Sequence, residues 1–318
     1  MRLPKFDYHQ PTTIEEAVAA LAGSPGARLL AGGTDLLVNM KLRVDLPQTL
    51  VGLDRIPGLR GSTQADGRTV MGAKTTLKDI QNDPVLLERY PALVQAARAV
   101  GSYRHQTMGT LGGNLCQNTR CRFFNQSQEW RSVRSLCYKA GGEDCHVMNK
   151  KGVCYSTYSG DVAPALLVLD ARVRLQGPDG GREIPLAEIY SGEGKSPLAL
   201  GPSEVVTAVV LPENSANGRS CYLKQGLRGS IDFPIVGAAV ARFDGGLRVA
   251  YTAVDRSPVR AAEVEAELEG RELTGELIDK VAPLCRKAAT VTRTTTQPVP
   301  YKRELMAALF RKAARTLV

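Results

Sequence analysis

Apolar and polar positions alternate along this chain in short blocks, and the period of the alternation changes several times. In "PTTIEEAVAALAG" the apolar residues recur at helical spacing. Thr13 stands before them with Glu16 three residues on, which predicts a capping box, and Gly23 follows near the end. "ARLLAGGTDLLVNMK" sets one apolar run, two glycines and a second apolar run, which predicts a strand, a tight turn and then a helix or strand. "PQTLVGLDRI" reads as a further strand and "RTVMGAKTTLKDIQ" as strand, turn and helix. "PVLLERYPALVQAARAVGS" predicts a helix, with Pro91 the place where it starts again. Beyond a segment of glycines and cysteines that runs to about Tyr155, "GDVAPALLVLDARVRLQG" combines a short apolar helix with a strand ending near Gly177. "SEVVTAVVLP" is another strand.

From about Gly218 the texture changes. "YLKQGLRGSIDFPIVGAAVARF" and "LRVAYTAVD" predict strands of a small antiparallel sheet, and helical segments start near Arg260, Thr274 and Tyr301. There is no internal repeat and no low-complexity linker. A chain of 318 residues suggests two or three domains, and the pattern divides into α+β parts at 1–57, 58–215 and 216–318.

Composition adds little: 43% hydrophobic and 23% charged residues describe a globular protein. No apolar run reaches membrane-spanning length, and the start "MRLPKFDYHQP" offers no signal peptide, so the expectation is a soluble, cytoplasmic chain with no membrane contact. A net charge of +9 suits nucleic acid, an anionic ligand or an acidic protein. Nucleic acid ranks last, because no zinc-finger or RNA-binding aromatic signature accompanies the charge.

The candidate chemistry lies in two glycine pairs and a run of cysteines. Gly32-Gly33, followed by Thr34, lets backbone N–H groups face a diphosphate with no Cβ in the way. Alone it is better read as an ordinary turn, being neither G-x-G-x-x-G nor a P-loop. A second pair lies 80 residues on in "TLGGN", Thr110 to Asn114, and two such turns can clasp the phosphates of one dinucleotide from opposite sides. Five of the seven cysteines, Cys116, Cys121, Cys137, Cys145 and Cys154, fall within 39 residues, whereas Cys221 and Cys285 read as buried small hydrophobes. With no export signal, the clustered five are expected to be thiols or metal ligands.

"LLAGGTDLLVNMK", "MGTLGGN", "GDVAPALLVLDA" and "YLKQGLR" together resemble, in order and over nearly the whole chain, the FAD-binding subunit of the molybdenum hydroxylases, the family of carbon monoxide and xanthine dehydrogenases. The resemblance implies a two-lobed FAD-binding domain of the vanillyl-alcohol oxidase type and a small C-terminal α+β domain of antiparallel sheet plus helices. It also implies that Leu29, Leu30, Ala31, Gly32, Gly33, Thr34, Asp35 and Leu36 line the FAD diphosphate and ribityl chain. Thr110, Leu111, Gly112, Gly113 and Asn114 would grip the diphosphate from the other lobe. Asp161 would contact the flavin's polar chain, and Lys224 would place positive charge near the isoalloxazine. Read without the resemblance, Asp161 is a helix N-cap and Lys224 a solvated strand charge.

One departure from that family stands out. Asn114 and Asp161 are 47 residues apart, a much longer interval than the resemblance implies, and the extra segment, about 117–156, carries the cysteines. Their spacing, C-x4-C-x15-C-x7-C-x8-C, contains no C-x-x-C. Four thiolates suit a 4Fe-4S cluster, with zinc the alternative and His146 a candidate ligand for it. Cys116 sits inside the glycine turn, which leaves Cys121, Cys137, Cys145 and Cys154 as the ligand set. The segment holds seven Lys/Arg against three Asp/Glu, charge that would offset a cluster or dock an acidic ferredoxin. Its aromatics, Phe123, Phe124, Trp130, Tyr138 and Tyr155, are expected to give it a small core.

The insert narrows the resemblance to the medium subunit of 4-hydroxybenzoyl-CoA reductase. That implies an electron route from reduced ferredoxin through the 4Fe-4S cluster and FAD of this chain to a partner's 2Fe-2S clusters and a large partner's molybdopterin. The whole would be a dimer of heterotrimers. No catalytic acid, base or nucleophile is expected in this chain. The alternative is the FAD subunit of an oxidative molybdenum hydroxylase with an added metal site.

Overall fold

The computed structural model describes residues 2–294 and 297–318. Three sheets organise it. The first is parallel, in the order Asp7–His9, Thr49–Gly52, Arg28–Leu30. The helix Ile14–Gly23 covers it, burying Ala17, Val18 and Leu21 against Val51 and Leu53. Thr13 caps this helix by accepting from the Glu16 N–H (3.2 Å). Glu16, however, reaches back to the N–H of Thr12 (2.7 Å), so the expected box is displaced by one residue.

The second sheet is antiparallel, in the order Ser62–Ala65, Arg68–Gly72, Val205–Leu211, Arg172–Gly177, Gly180–Pro185. Helices Leu77–Asn82, Pro84–Arg89 and Pro91–Ala99 pack beside it. Asp83 caps the second of these, and Pro91 opens the third because its missing N–H costs nothing in a first turn. The helix Val162–Val168 is buried on every side, as an unbroken apolar run requires.

The third sheet runs Arg219–Gln225, Val236–Phe243, Gly246–Thr252, Val259–Arg260, all antiparallel. Helices Ala262–Leu268, Gly275–Val281 and Val299–Arg315 close its core, where Cys221 and Cys285 are buried. Burial pushes the Cys285 thiol up to about 11. The structure is thus mixed helix and sheet, as expected, and among the described residues no helix is long and apolar enough to cross a membrane.

Candidate cofactor sites

The first glycine pair lies between the strand Arg28–Leu30 and the helix Leu36–Lys41. Gly33 has φ +69°, a conformation that glycine adopts without cost. Among the described residues, the N–H groups of Gly32, Gly33 and Thr34 donate to no acceptor in the chain. Adjacent free N–H groups in a half-buried loop form a concavity suited to an anion. A Cβ on Gly32 would sit 1.8 Å from the Met108 carbonyl oxygen, so this loop presses directly against the backbone leading into the second glycine pair. Two segments 80 residues apart in sequence therefore meet.

The second pair is not a turn. Residues Leu111–Leu115 form a short helix capped by Thr110, whose hydroxyl accepts from the Gly113 N–H (3.1 Å). Leu111 and Gly112 donate to the Thr75 and Ala73 carbonyls (2.9 and 2.8 Å). Those N–H groups are therefore engaged within the chain. Packing also requires Gly112, since a Cβ there would lie 2.9 Å from the Ala73 Cβ. Gly113 is exposed, and a Cβ on it would crowd only the Thr110 hydroxyl.

Asn114 joins this helix to Asp161. Its Oδ1 accepts from the Val162 N–H (3.2 Å), and its carbonyl accepts from the Tyr158 hydroxyl (3.0 Å). Asp161 itself does not cap its helix. It is buried, accepts from the Tyr222 hydroxyl (2.6 Å) and pairs with Lys224 (3.2 Å), and burial pushes its carboxyl up to about 6. Lys224 is no solvated strand charge: its Nζ also donates to the Ala99 and Asp232 carbonyls (2.8 and 2.7 Å). Both residues are thus engaged within the protein, tying the third sheet to the helix after the insert. Leu29, Leu30, Ala31, Thr34, Asp35 and Leu36 are half-buried around the loop.

The insert is a closed appendage. An antiparallel bridge between Arg120 and Thr157, with N–H···O contacts of 2.8 Å in both directions, pinches its neck. Within it lie a helix Gln128–Ser132 capped by Ser127, a tight turn at Tyr138–Ala140 and a two-stranded ribbon, Asp144–Cys145 with Lys150–Lys151. Cys121 is at the neck, Cys137 opens the turn, Cys145 is in the ribbon, and Cys154 approaches the neck from the other side.

Lys139 is the common neighbour of Cys121, Cys137 and Cys154, each of which stabilises its charge. Burial nevertheless pulls Lys139 down to about 8. Its Nζ donates to Asn118 Oδ1 and the Gly194 carbonyl (2.7 Å each). Cys145 lies beside Cys154, and the two thiols split, the first drawn down and the second pushed up. Cys121 Sγ accepts from the Phe124 N–H (3.3 Å), and Cys154 Sγ from the Ser156 N–H (3.5 Å). At Cys121 burial outweighs the backbone donors and the nearby Lys139 ammonium, and the thiol is raised. All seven cysteines are free, and among the described residues no three potential ligands gather closely enough for a single metal ion. His146 instead meets the Phe123 ring edge-on at 5.7 Å and lies 3.4 Å from the Ser135 hydroxyl. Cys116 packs apart, near Tyr158 and Tyr190, and burial pushes it up to about 12.

The aromatics do not form the small core expected of them. Of the five only Phe124 is buried, and the others stack with cations: Arg122 over Phe123 (4.8 Å), Arg134 over Trp130 (4.4 Å), Lys195 over Tyr138 (4.5 Å), Arg256 over Tyr155 (5.2 Å). Arg120 and Lys139, the residues that link the insert to its surroundings, carried no separate signal in the sequence beyond basic charge beside cysteines.

The family described as FAD binding domain in molybdopterin dehydrogenase matches residues 4–214, and the CO dehydrogenase flavoprotein C-terminal domain matches residues 221–317. The chain is 34% identical to the aldehyde oxidoreductase FAD-binding subunit PaoB of Escherichia coli (strain K12), over 83% of this chain and 86% of that one. It is 28% identical to the carbon monoxide dehydrogenase medium chain of Hydrogenophaga pseudoflava, over 88% and 85%. A solved Cu,Mo-CO dehydrogenase chain superposes with a TM-score of 0.79 at 26% identity, covering 100% of this chain and 99% of that one. The chain therefore belongs to the FAD-binding medium subunits of the molybdenum hydroxylase family.

Proposed function

We propose that this chain is the flavin and iron–sulfur electron-transfer subunit of a 4-hydroxybenzoyl-CoA reductase. The observation that carries the reading is the closed insert, with three of its cysteines around Lys139 and the fourth beside one of them. Cys121, Cys137, Cys145 and Cys154 would hold a 4Fe-4S cluster, a one-electron carrier whose negative charge Lys139 and the backbone N–H donors offset. The free N–H groups of residues 32–34 would hold the FAD diphosphate, while Asn114, Asp161 and Lys224 keep the surrounding elements in register. FAD supplies a carrier able to exchange one or two electrons.

The partners would be a small 2Fe-2S subunit, a large molybdopterin subunit and reduced ferredoxin as donor, in a dimer of heterotrimers. Two ferredoxins are oxidised, two electrons and two protons are consumed, the aryl C–O bond breaks, a C–H bond forms, and the hydroxyl leaves as water. Substrate chemistry belongs to the large subunit.

A second reading is favoured by the 34% identity to an aldehyde oxidoreductase subunit: an oxidative hydroxylase in which electrons leave through this chain. The assembled complex decides between them. Reduction of 4-hydroxybenzoyl-CoA by a low-potential one-electron dye, with benzoyl-CoA as product, is expected. Aldehyde or purine oxidation without that reduction would reverse the assignment.

A further inference from the structure

The insert holds the helix Leu36–Lys41 at both ends. At its start the guanidinium of Arg120 pairs with Asp35, the residue just before the first turn. Past its end, Arg131 Nη2 donates to the carbonyls of Leu42 (3.3 Å), the residue that caps the helix, and Arg43 (2.7 Å). Arg120 also lies over the Phe233 ring at 4.6 Å, and its backbone forms the neck bridge. One arginine thus meets the glycine loop, the insert and the third-sheet domain.

Asp35 is a costly residue for its position. Its carboxylate caps no N–H, and one oxygen accepts only from Asn39 Nδ2 (3.2 Å). It lies next to a loop whose free N–H groups suit an anion, and a bare carboxylate there would repel a diphosphate. The guanidinium of Arg120, paired with Asp35, supplies the charge that neutralises it.

We propose that Arg120 is a positioning residue for the dinucleotide: by neutralising Asp35 it lets the glycine loop accept the diphosphate, so that the insert takes part in holding flavin. The proposal rests on reading residues 31–35 as the diphosphate loop. Mechanically, Arg131 secures the far end of the same helix, while Arg120 supplies the charge.

The test measures FAD affinity of the full chain by flavin fluorescence on dilution, with iron content on the same samples. Arg120→Gln should weaken FAD about tenfold, the scale of a lost charge partner worth about 1.4 kcal/mol. Iron should be unchanged. Adding Asp35→Asn should restore affinity to within about threefold of wild type, because no uncompensated charge remains. A merely structural role would not yield such a rescue. Arg120→Lys, which keeps the charge, guards against misfolding of the glutamine variant and should retain FAD within the same margin. Wild-type affinity in Arg120→Gln, or a double variant as weak as the single one, would overturn the proposal. Gly33→Val separates the two readings. If it keeps FAD, the loop assignment fails; if it releases FAD while Arg120→Gln holds it, only the role of Arg120 fails.

Discussion

Gly32 is fixed by its neighbour, whatever it binds. With the Met108 carbonyl 1.8 Å from where a Cβ would stand, Gly32→Val must push the two glycine segments apart. Gly113 faces outward, and a valine there crowds only the Thr110 cap. Both variants are expected to lose FAD, but Gly32→Val should also lower the melting temperature by several degrees, as a loss of about 1–3 kcal/mol from overpacking implies. Equal melting temperatures for the two would contradict this account. Asp161 makes a different prediction. Its carboxyl is raised by burial from 3.8 to about 6, so the folded chain binds that proton more tightly than the unfolded one. Its contribution to stability therefore falls as pH rises from about 4 to 6. The deficit of Asp161→Asn against wild type should accordingly be larger at pH 4 than at pH 7 in thermal melts. A constant deficit would mean that Asp161 does not titrate in this window. Cys116, buried beside Tyr158 and Tyr190, should be replaceable by alanine with a full iron content.

At the scale of elements, what was legible followed from local signals. Thr13 and Pro91 mark helix starts in the sequence and in the structure alike, because caps and first-turn prolines act within a few residues. The short helix Leu111–Leu115 was not legible. Two adjacent glycines disfavour a helix, and this one is held by tertiary contacts from Thr75 and Ala73. The insert was legible as an insertion but not in its packing. Its elements are too short for periodicity to show, and its aromatics pair with cations from distant segments, such as Lys195 and Arg256. Lys139 gives the insert its own test. Lys139→Met removes a buried positive charge beside three of the cysteines, so the reduced, more negative state of a bound cluster loses stabilisation. A more negative cluster midpoint potential is expected in a redox titration, and an unchanged potential would place the ammonium away from the cluster. Cys137→Ser should abolish the cluster's visible absorbance while FAD stays bound.

For the molecule as a whole, the three sheets and the family match account for a flavin subunit. Placement of the whole-chain site was readable only in part. The meeting of the two glycine segments could be anticipated from their likeness, whereas the linkage of Asp35 to Arg120 spans 85 residues and leaves no mark in sequence order. The central claim is that one chain carries two redox groups side by side. The most direct test is iron, sulfide and flavin analysis of the purified full chain, with electron paramagnetic resonance after reduction on the same sample. The account predicts four irons and four sulfides per FAD, as about one 4Fe-4S cluster requires, together with a signal from a reduced cluster. A chain holding FAD with zinc, or with no iron and no such signal, would contradict it.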